Sequence, residues 1–173
     1  DISKAKVSVQ GFGNVGSYSA ECLQGLGAKI VAVAKRDYAI YNEDGLDIGE
    51  LMTYNDKNKD VLGFPNSKKI SLDEFWELNV EILVPAALEN AITVEVAEKI
   101  NAKLICEGAN GPVGTAADEI LDKRGIIVTP DILTNAGGVA VSYFEWVQNL
   151  HGYYWTEGEV IEKENVVMLK SFN

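Results

Sequence analysis

The amino-acid sequence predicts an α/β fold, a doubly wound, mostly parallel sheet with helices on both faces. Three observations predict it. Short aliphatic and β-branched runs alternate with longer stretches of helical periodicity along the whole 173-residue chain. One of those short runs, VEILVPA (80–86), reads as a strand covered on both faces. With 47% hydrophobic and 24% charged residues, the chain has the composition to bury one sizeable core.

The first expected elements are a strand at 6–10 (KVSVQ), a helix at 14–26 and a strand at 29–34 (KIVAVA), a β-α-β unit. Val15, Tyr18, Cys22 and Leu26 recur every three or four residues and line one face of that helix, with Gly27 where a C-terminal cap belongs. After turn signals at Asp44 and Gly45, residues 46–54 read as a helix. The polar run at 55–60 reads as a solvated loop. Ser71 with Glu74 forms a capping box opening a short helix to 78. VEILVPA (80–86) is then a buried strand, and Thr93 caps a helix to about 100.

KLICE (103–107) repeats the strand signal. Thr115 with Asp118 starts a helix that Gly125 ends, and GIIVTPD (125–131) is the last strand. Residues 139–150 read as a helix with Val139, Tyr143, Trp146, Val147 and Leu150 as its buried stripe. The tail from Glu159 is helical and amphipathic. Residues 156–173 are expected to begin a C-terminal helical segment cut short, and 1–173 to form one domain.

A net charge of -11 disfavours nucleic acid and anionic bilayers as partners, which leaves small molecules. No apolar run approaches the roughly 20 residues that cross a bilayer, and no secretory signal pattern appears, so a cytoplasmic protein is expected. Cys22 and Cys106 are read as buried, reduced packing residues. With His151 as the sole histidine, neither a histidine-based metal cluster nor a Ser-His-Asp triad has the residues it needs. Trp76, Trp146 and Trp155 are read as core or domain-packing residues.

The chemistry is concentrated in Gly11-Phe12-Gly13-Asn14-Val15-Gly16, a GxGxxG at the junction of the first strand and helix. The first glycine permits a tight turn and the second lets a pyrophosphate approach the backbone. The third lets helix and strand pack closely, and the helix N-terminus faces the phosphates. The expectation is a Rossmann-like dinucleotide-binding domain.

In NAD-binding versions of the motif, an acid roughly 20 residues on takes the adenosine ribose hydroxyls. Here the second strand leads into Lys35-Arg36-Asp37, and two cations could pair a 2′-phosphate, which favours NADP with NAD still possible. In the competing reading, Lys35 and Arg36 are solvated loop charges and Asp37 meets the ribose. Further along, three strand ends, 85–87, 107–110 and 135–138, carry polar or small residues where an open α/β sheet places its ligand crevice, and small residues there, Ala86 and Ala87 among them, admit cofactor rings. The amides of Asn110 and Asn135 suit a ribose hydroxyl or a carboxamide.

GFGNVG (11–16), VPAALEN (84–90), CEGANGP (106–112) and TNAGGVAVSYFEWVQN (134–149), in this order and spacing, resemble the cofactor domain of the glutamate, leucine, phenylalanine and valine dehydrogenase family. SYFEWVQN followed by Trp155 resembles the family's glutamate branch. The resemblance implies pyrophosphate binding by Gly11 to Gly16, cofactor contacts from Asn110 and Asn135, and a contact from Ser142 to the substrate side-chain carboxylate. It implies oxidative deamination of L-glutamate to 2-oxoglutarate and ammonia by hydride transfer, in a homo-hexamer.

The family's N-terminal domain, which supplies a catalytic lysine and aspartate, is expected to be absent here. No catalytic residue is therefore assigned in this chain, which is expected to bind without turnover. One departure concerns coenzyme choice: NAD-using members of the family generally carry an acid at or near position 35, where this chain has Lys. Two other readings are a cofactor domain acting on a branched or aromatic amino acid, which would leave the Ser142 hydroxyl without an ionic partner, and a non-catalytic module that senses pyridine nucleotides.

Overall fold

A computed structural model describes residues 1–173. After a 3-10 turn at Ile2–Lys4, β1 (Lys6–Gln10), α1 (Asn14–Gly25) and β2 (Lys29–Ala34) form the first β-α-β unit. Two short strands follow, β3 (Ala39–Tyr41) and β4 (Lys68–Ile70), separated by α2 (Ile48–Asn58). Then come α3 (Leu72–Trp76), β5 (Ile82–Pro85), α4 (Val94–Lys99), β6 (Leu104–Cys106), α5 (Thr115–Lys123) and β7 (Ile127–Thr129). Three helices end the chain: α6 (Asp131–Thr134), α7 (Ala136–His151) and α8 (Glu157–Phe172).

All seven strands form one sheet in the order β4-β3-β2-β1-β5-β6-β7. The five strands from β2 to β7 are parallel, and β3 and β4 extend the β2 edge antiparallel. Two apolar clusters cover the two faces. Val7, Val9, Ile30 and Val33 join Ile48 and Leu51 of α2 in one, and Leu83 and Ile105 join Phe75, Ala97 and Leu121 in the other. The order reverses around β1, which opens a crevice beyond the carboxyl ends of the strands.

Capping follows the sequence closely. Ser71 and Glu74 close a capping box, Thr93 caps α4, and Gly125 adopts φ +72° after α5. Thr115, however, lies inside α5 rather than capping it, since Gly114 holds the cap position.

Other expectations are corrected. The 55–60 run is not a loop: Asn55 to Asn58 continue α2 on its solvated side, and the helix stops at Lys59 in the left-handed conformation. The stripe Val15, Tyr18, Cys22 and Leu26 is exposed, because α1 turns Gly16, Ser17 and Ala20 inward for a close approach to the sheet. Cys22 is therefore no packing residue, whereas Cys106 is half-buried and its thiol is pushed up by that burial.

The buried stripe expected on α7 is also mostly exposed, with Val139 at 71% and Trp146 at 57%; Phe144, at 8%, is the residue the helix buries. Phe144 packs edge-on against the ring of Trp155, 5.8 Å away, and so ties α7 to the start of α8. No helix is long and apolar enough to cross a membrane.

Candidate functional site

The site is built on the turn from β1 into α1. Gly11 takes φ +93°, and its N–H donates to the Ala34 carbonyl at 2.8 Å, tying the loop to the end of β2. A Cβ at Gly11 would lie 2.7 Å from the Ala86 carbonyl oxygen and 3.0 Å from the Ala87 Cβ. A Cβ at Gly16 would collide with the Gly11 carbonyl oxygen. At Gly13 the opposite holds, with open space where a side chain would stand.

Two of the three glycines thus bring the backbone together, and the third leaves a gap. That gap is at the N-terminus of α1, where no side chain caps the helix and no acid lies in its first turn. Its unpaired N–H groups and positive dipole end suit an anion. Phe12 is buried in the core beneath the loop, and Asn14 opens the helix.

To one side of this cradle lies an open cavity of about 460 Å³ lined by Val15, Ala86, Ala87, Gly108, Ala109, Asn110, Asn135 and Val139. Five of the predicted residues, Val15, Ala86, Ala87, Asn110 and Asn135, meet here from four separate segments. Of the other lining residues, Gly108 and Ala109 belong to the strand end 107–110 that the sequence places at the crevice, whereas Val139 was expected in the buried stripe of a helix. Gly108 packs under Val15 and Ala86, where a Cβ would stand 3.3 and 3.4 Å from their methyl groups.

The far wall is braced by carboxylates. Glu107, 7% exposed, accepts from the Val113 N–H at 3.1 Å and from the Asp131 N–H at 2.8 Å. Asp131 in turn accepts from the Gly111 N–H at 2.8 Å. Asn135 donates its amide to Asn110 Oδ1 at 2.8 Å, the last stitch between the loops that follow β6 and β7. Burial pushes the Glu107 carboxyl upward, the two N–H donors oppose that, and the charges of Asp131 and Asp118 add to it. Glu107 and Asp131 were legible only as polar strand ends, and their bracing roles depend on pairings across the fold.

Lys35 and Arg36 stand apart from the cavity, in the turn between β2 and β3. Arg36 and Asp37 are exposed, whereas the Lys35 ammonium is engaged, donating to Asn55 Oδ1 of α2 at 3.3 Å. Ser142 is exposed on α7, three residues beyond Val139 and outside the cavity lining. No group of three or more His, Cys, Asp or Glu side chains is placed to hold a metal ion.

The residues present fit a dinucleotide: a glycine cradle at a helix N-terminus for a pyrophosphate, and a small-residue cavity with two amides for a ring and its carboxamide. Comparisons with known proteins point the same way. The family model described as Glutamate/Leucine/Phenylalanine/Valine dehydrogenase matches residues 1–173.

The NAD-specific glutamate dehydrogenase of Clostridioides difficile is 57% identical over 99% of this chain and 42% of its own length. The NAD-specific glutamate dehydrogenase of Peptoniphilus asaccharolyticus is 54% identical over 98% of this chain and 42% of its own. A crystal structure of glutamate dehydrogenase from that organism matches with a TM-score of 0.82. The hetero-hexameric glutamate dehydrogenase of Thermus thermophilus, in its Leu-bound form, matches with a TM-score of 0.92 at 32% identity, over 98% of this chain and 40% of that one. The chain thus spans about 42% of the length of the relatives it matches by sequence.

Proposed function

Since this chain belongs to the glutamate/leucine/phenylalanine/valine dehydrogenase family, we propose that it is the NAD(H)-binding portion of a glutamate dehydrogenase. The observation that carries this reading is the backbone cradle of Gly11, Gly13 and Gly16 at the uncapped N-terminus of α1. The whole protein would convert L-glutamate to 2-oxoglutarate and ammonia, and would be a hexamer. A hexamer is what the Thermus relative's description states of that protein.

A bound nicotinamide would supply the hydride-accepting chemistry. The residues of this chain would bind and orient. The N–H groups at the start of α1 would hold the pyrophosphate, and Ala86, Ala87 and Gly108 would leave room for a flat ring. Asn110 and Asn135 would fix the ring's carboxamide, and Ser142 would face the substrate's side-chain carboxylate. The catalytic acid and base would come from the portion of the protein that the relatives have beyond this match.

The NADP preference read from Lys35 and Arg36 finds no support among these relatives, two of which are described as NAD-specific. In line with that, the Lys35 ammonium already has a partner in Asn55. Parallel fluorescence titrations of the chain with NADH and NADPH test the reading. Tighter NADH binding supports it, tighter NADPH binding restores the cation pair as a phosphate site, and binding of neither overturns the dinucleotide assignment. For the substrate, activity of the full-length protein on L-glutamate over L-leucine supports the glutamate branch, and the reverse order overturns it.

A further inference from the structure

We propose that Asn55 and Asp60, at the end of α2 and just beyond it, set the coenzyme preference of this site, Asn55 by holding the Lys35 ammonium and Asp60 by adding a negative charge to the same corner. The inference rests on the dinucleotide reading above and assigns a specificity role to two residues that lie 20 and 25 positions from Lys35 in sequence.

Lys35 is the first residue past β2, where the adenosine ribose of a dinucleotide lies in this fold. Its backbone is fixed by the Lys35 N–H donating to the Tyr38 carbonyl at 2.8 Å. Its side chain then reaches α2, where the ammonium donates to Asn55 Oδ1 at 3.3 Å, and both residues are half-buried. The left-handed turn at Lys59 ends α2 and delivers Asp60 to the same corner.

Asp60 is held there from two sides, accepting from the Tyr38 hydroxyl and from the Val61 N–H at 2.7 Å. The charge of Lys35 acts on this carboxylate. The ammonium is thus already engaged by an amide oxygen, and a carboxylate that feels its charge holds the same corner. A 2′-phosphate approaching it would have to displace the amide and would meet the Asp60 charge as well. A ribose hydroxyl carries no such charge and meets no repulsion. The same lysine that on sequence grounds favours a phosphate is therefore disarmed by two residues from α2 and its exit.

The test is a set of parallel NADH and NADPH fluorescence titrations at one salt concentration on the parent chain, Asn55→Ala, Asn55→Asp, and Asn55→Ala combined with Lys35→Gln. Asn55→Ala frees the ammonium and is expected to raise the NADPH-to-NADH affinity ratio at least threefold. Asn55→Asp holds it more tightly and lowers the ratio, and Lys35→Gln in the Ala background abolishes the gain. A purely structural Asn55 would weaken both coenzymes together, and a ratio that ignores the substitution overturns the inference while leaving the dinucleotide reading intact. A parent chain that binds neither coenzyme overturns both.

Discussion

Asn135 donates its side-chain amide to Asn110 Oδ1 at 2.8 Å, so that two loops 25 residues apart present one polar pair to the same cavity. The pair leaves one Asn110 amide and one Asn135 oxygen without a partner in each other, both available to a ligand. Asn135→Ala is expected to weaken dinucleotide binding about 5- to 20-fold while costing less than about 1 kcal/mol of stability, because of the two bonds it breaks the short one to Asn110 is exposed and the one to the Ala109 carbonyl is long, at 3.4 Å. Titration beside urea denaturation separates the two effects.

Two glycines of one motif should respond in opposite ways. Gly16→Ala drives a methyl group into the Gly11 carbonyl and is expected to destabilise the chain by about 2–4 kcal/mol. Gly13→Ala meets open space and should cost less than about 1 kcal/mol, yet it should lower dinucleotide affinity tenfold or more by filling the phosphate gap. Equal effects of both substitutions on melting temperature would contradict this division.

The Glu107 carboxyl, raised by burial from its ordinary 4.5, gives a pH dependence of definite sign. The folded chain holds this proton more tightly than the unfolded one, so the group's contribution to stability is largest below about 4.5 and is lost as the pH rises through its raised value. The stability of the parent relative to Glu107→Gln should therefore fall from pH 4 to pH 7. A flat difference across that range would show that the two N–H donors fully offset the burial.

The Tyr38–Asp60 bond has two pH limits. Burial, and then the bond to Asp60, push the Tyr38 phenol from 10.0 up to about 12, so its contribution is complete below pH 10 and lost as the pH rises to about 12. The same bond depresses Asp60 below its ordinary 3.8, so that contribution is complete above 3.8 and lost as the pH falls through the lowered value. The destabilisation caused by Tyr38→Phe should be greatest between pH 5 and 9 and shrink at both ends, as denaturation at several pH values would show.

What the sequence made legible was whatever depends on neighbours in the chain. The glycine loop, the Ser71–Glu74 box and the five parallel strands each declare themselves within a few residues. Helix orientation did not, because periodicity weighs large side chains. In α1 the buried face is made of Gly16, Ser17 and Ala20, which carry little hydrophobic signal, while the conspicuous Val15, Tyr18 and Leu26 point outward. On α7 the same rule mistook an exposed apolar stripe for core.

The strands β3 and β4 did not register, because β3 adjoins a turn-rich passage and β4 has two lysines among its three residues, and the polar side of α2 looked like a loop. At the site, Ala86, Ala87, Asn110 and Asn135 were legible because each follows a strand or turn signal. The braces of Glu107 and Asp131 and the Lys35–Asn55 contact required partners at long range, which no local pattern reveals.

The two short outer strands carry a consequence for behaviour under stress. β4, at one margin of the sheet, has only three residues, two of them lysines, and β7 at the other margin is equally short. Neither margin offers enough unpaired backbone to recruit a strand from another molecule, and the lysines on β4 repel one that tries. Fibril-like growth by strand addition is thus disfavoured at both ends of the sheet. If this chain precipitates on heating, the adhesive surface should be helical, with Val139, Tyr143, Trp146 and Leu150 of α7 as its centre.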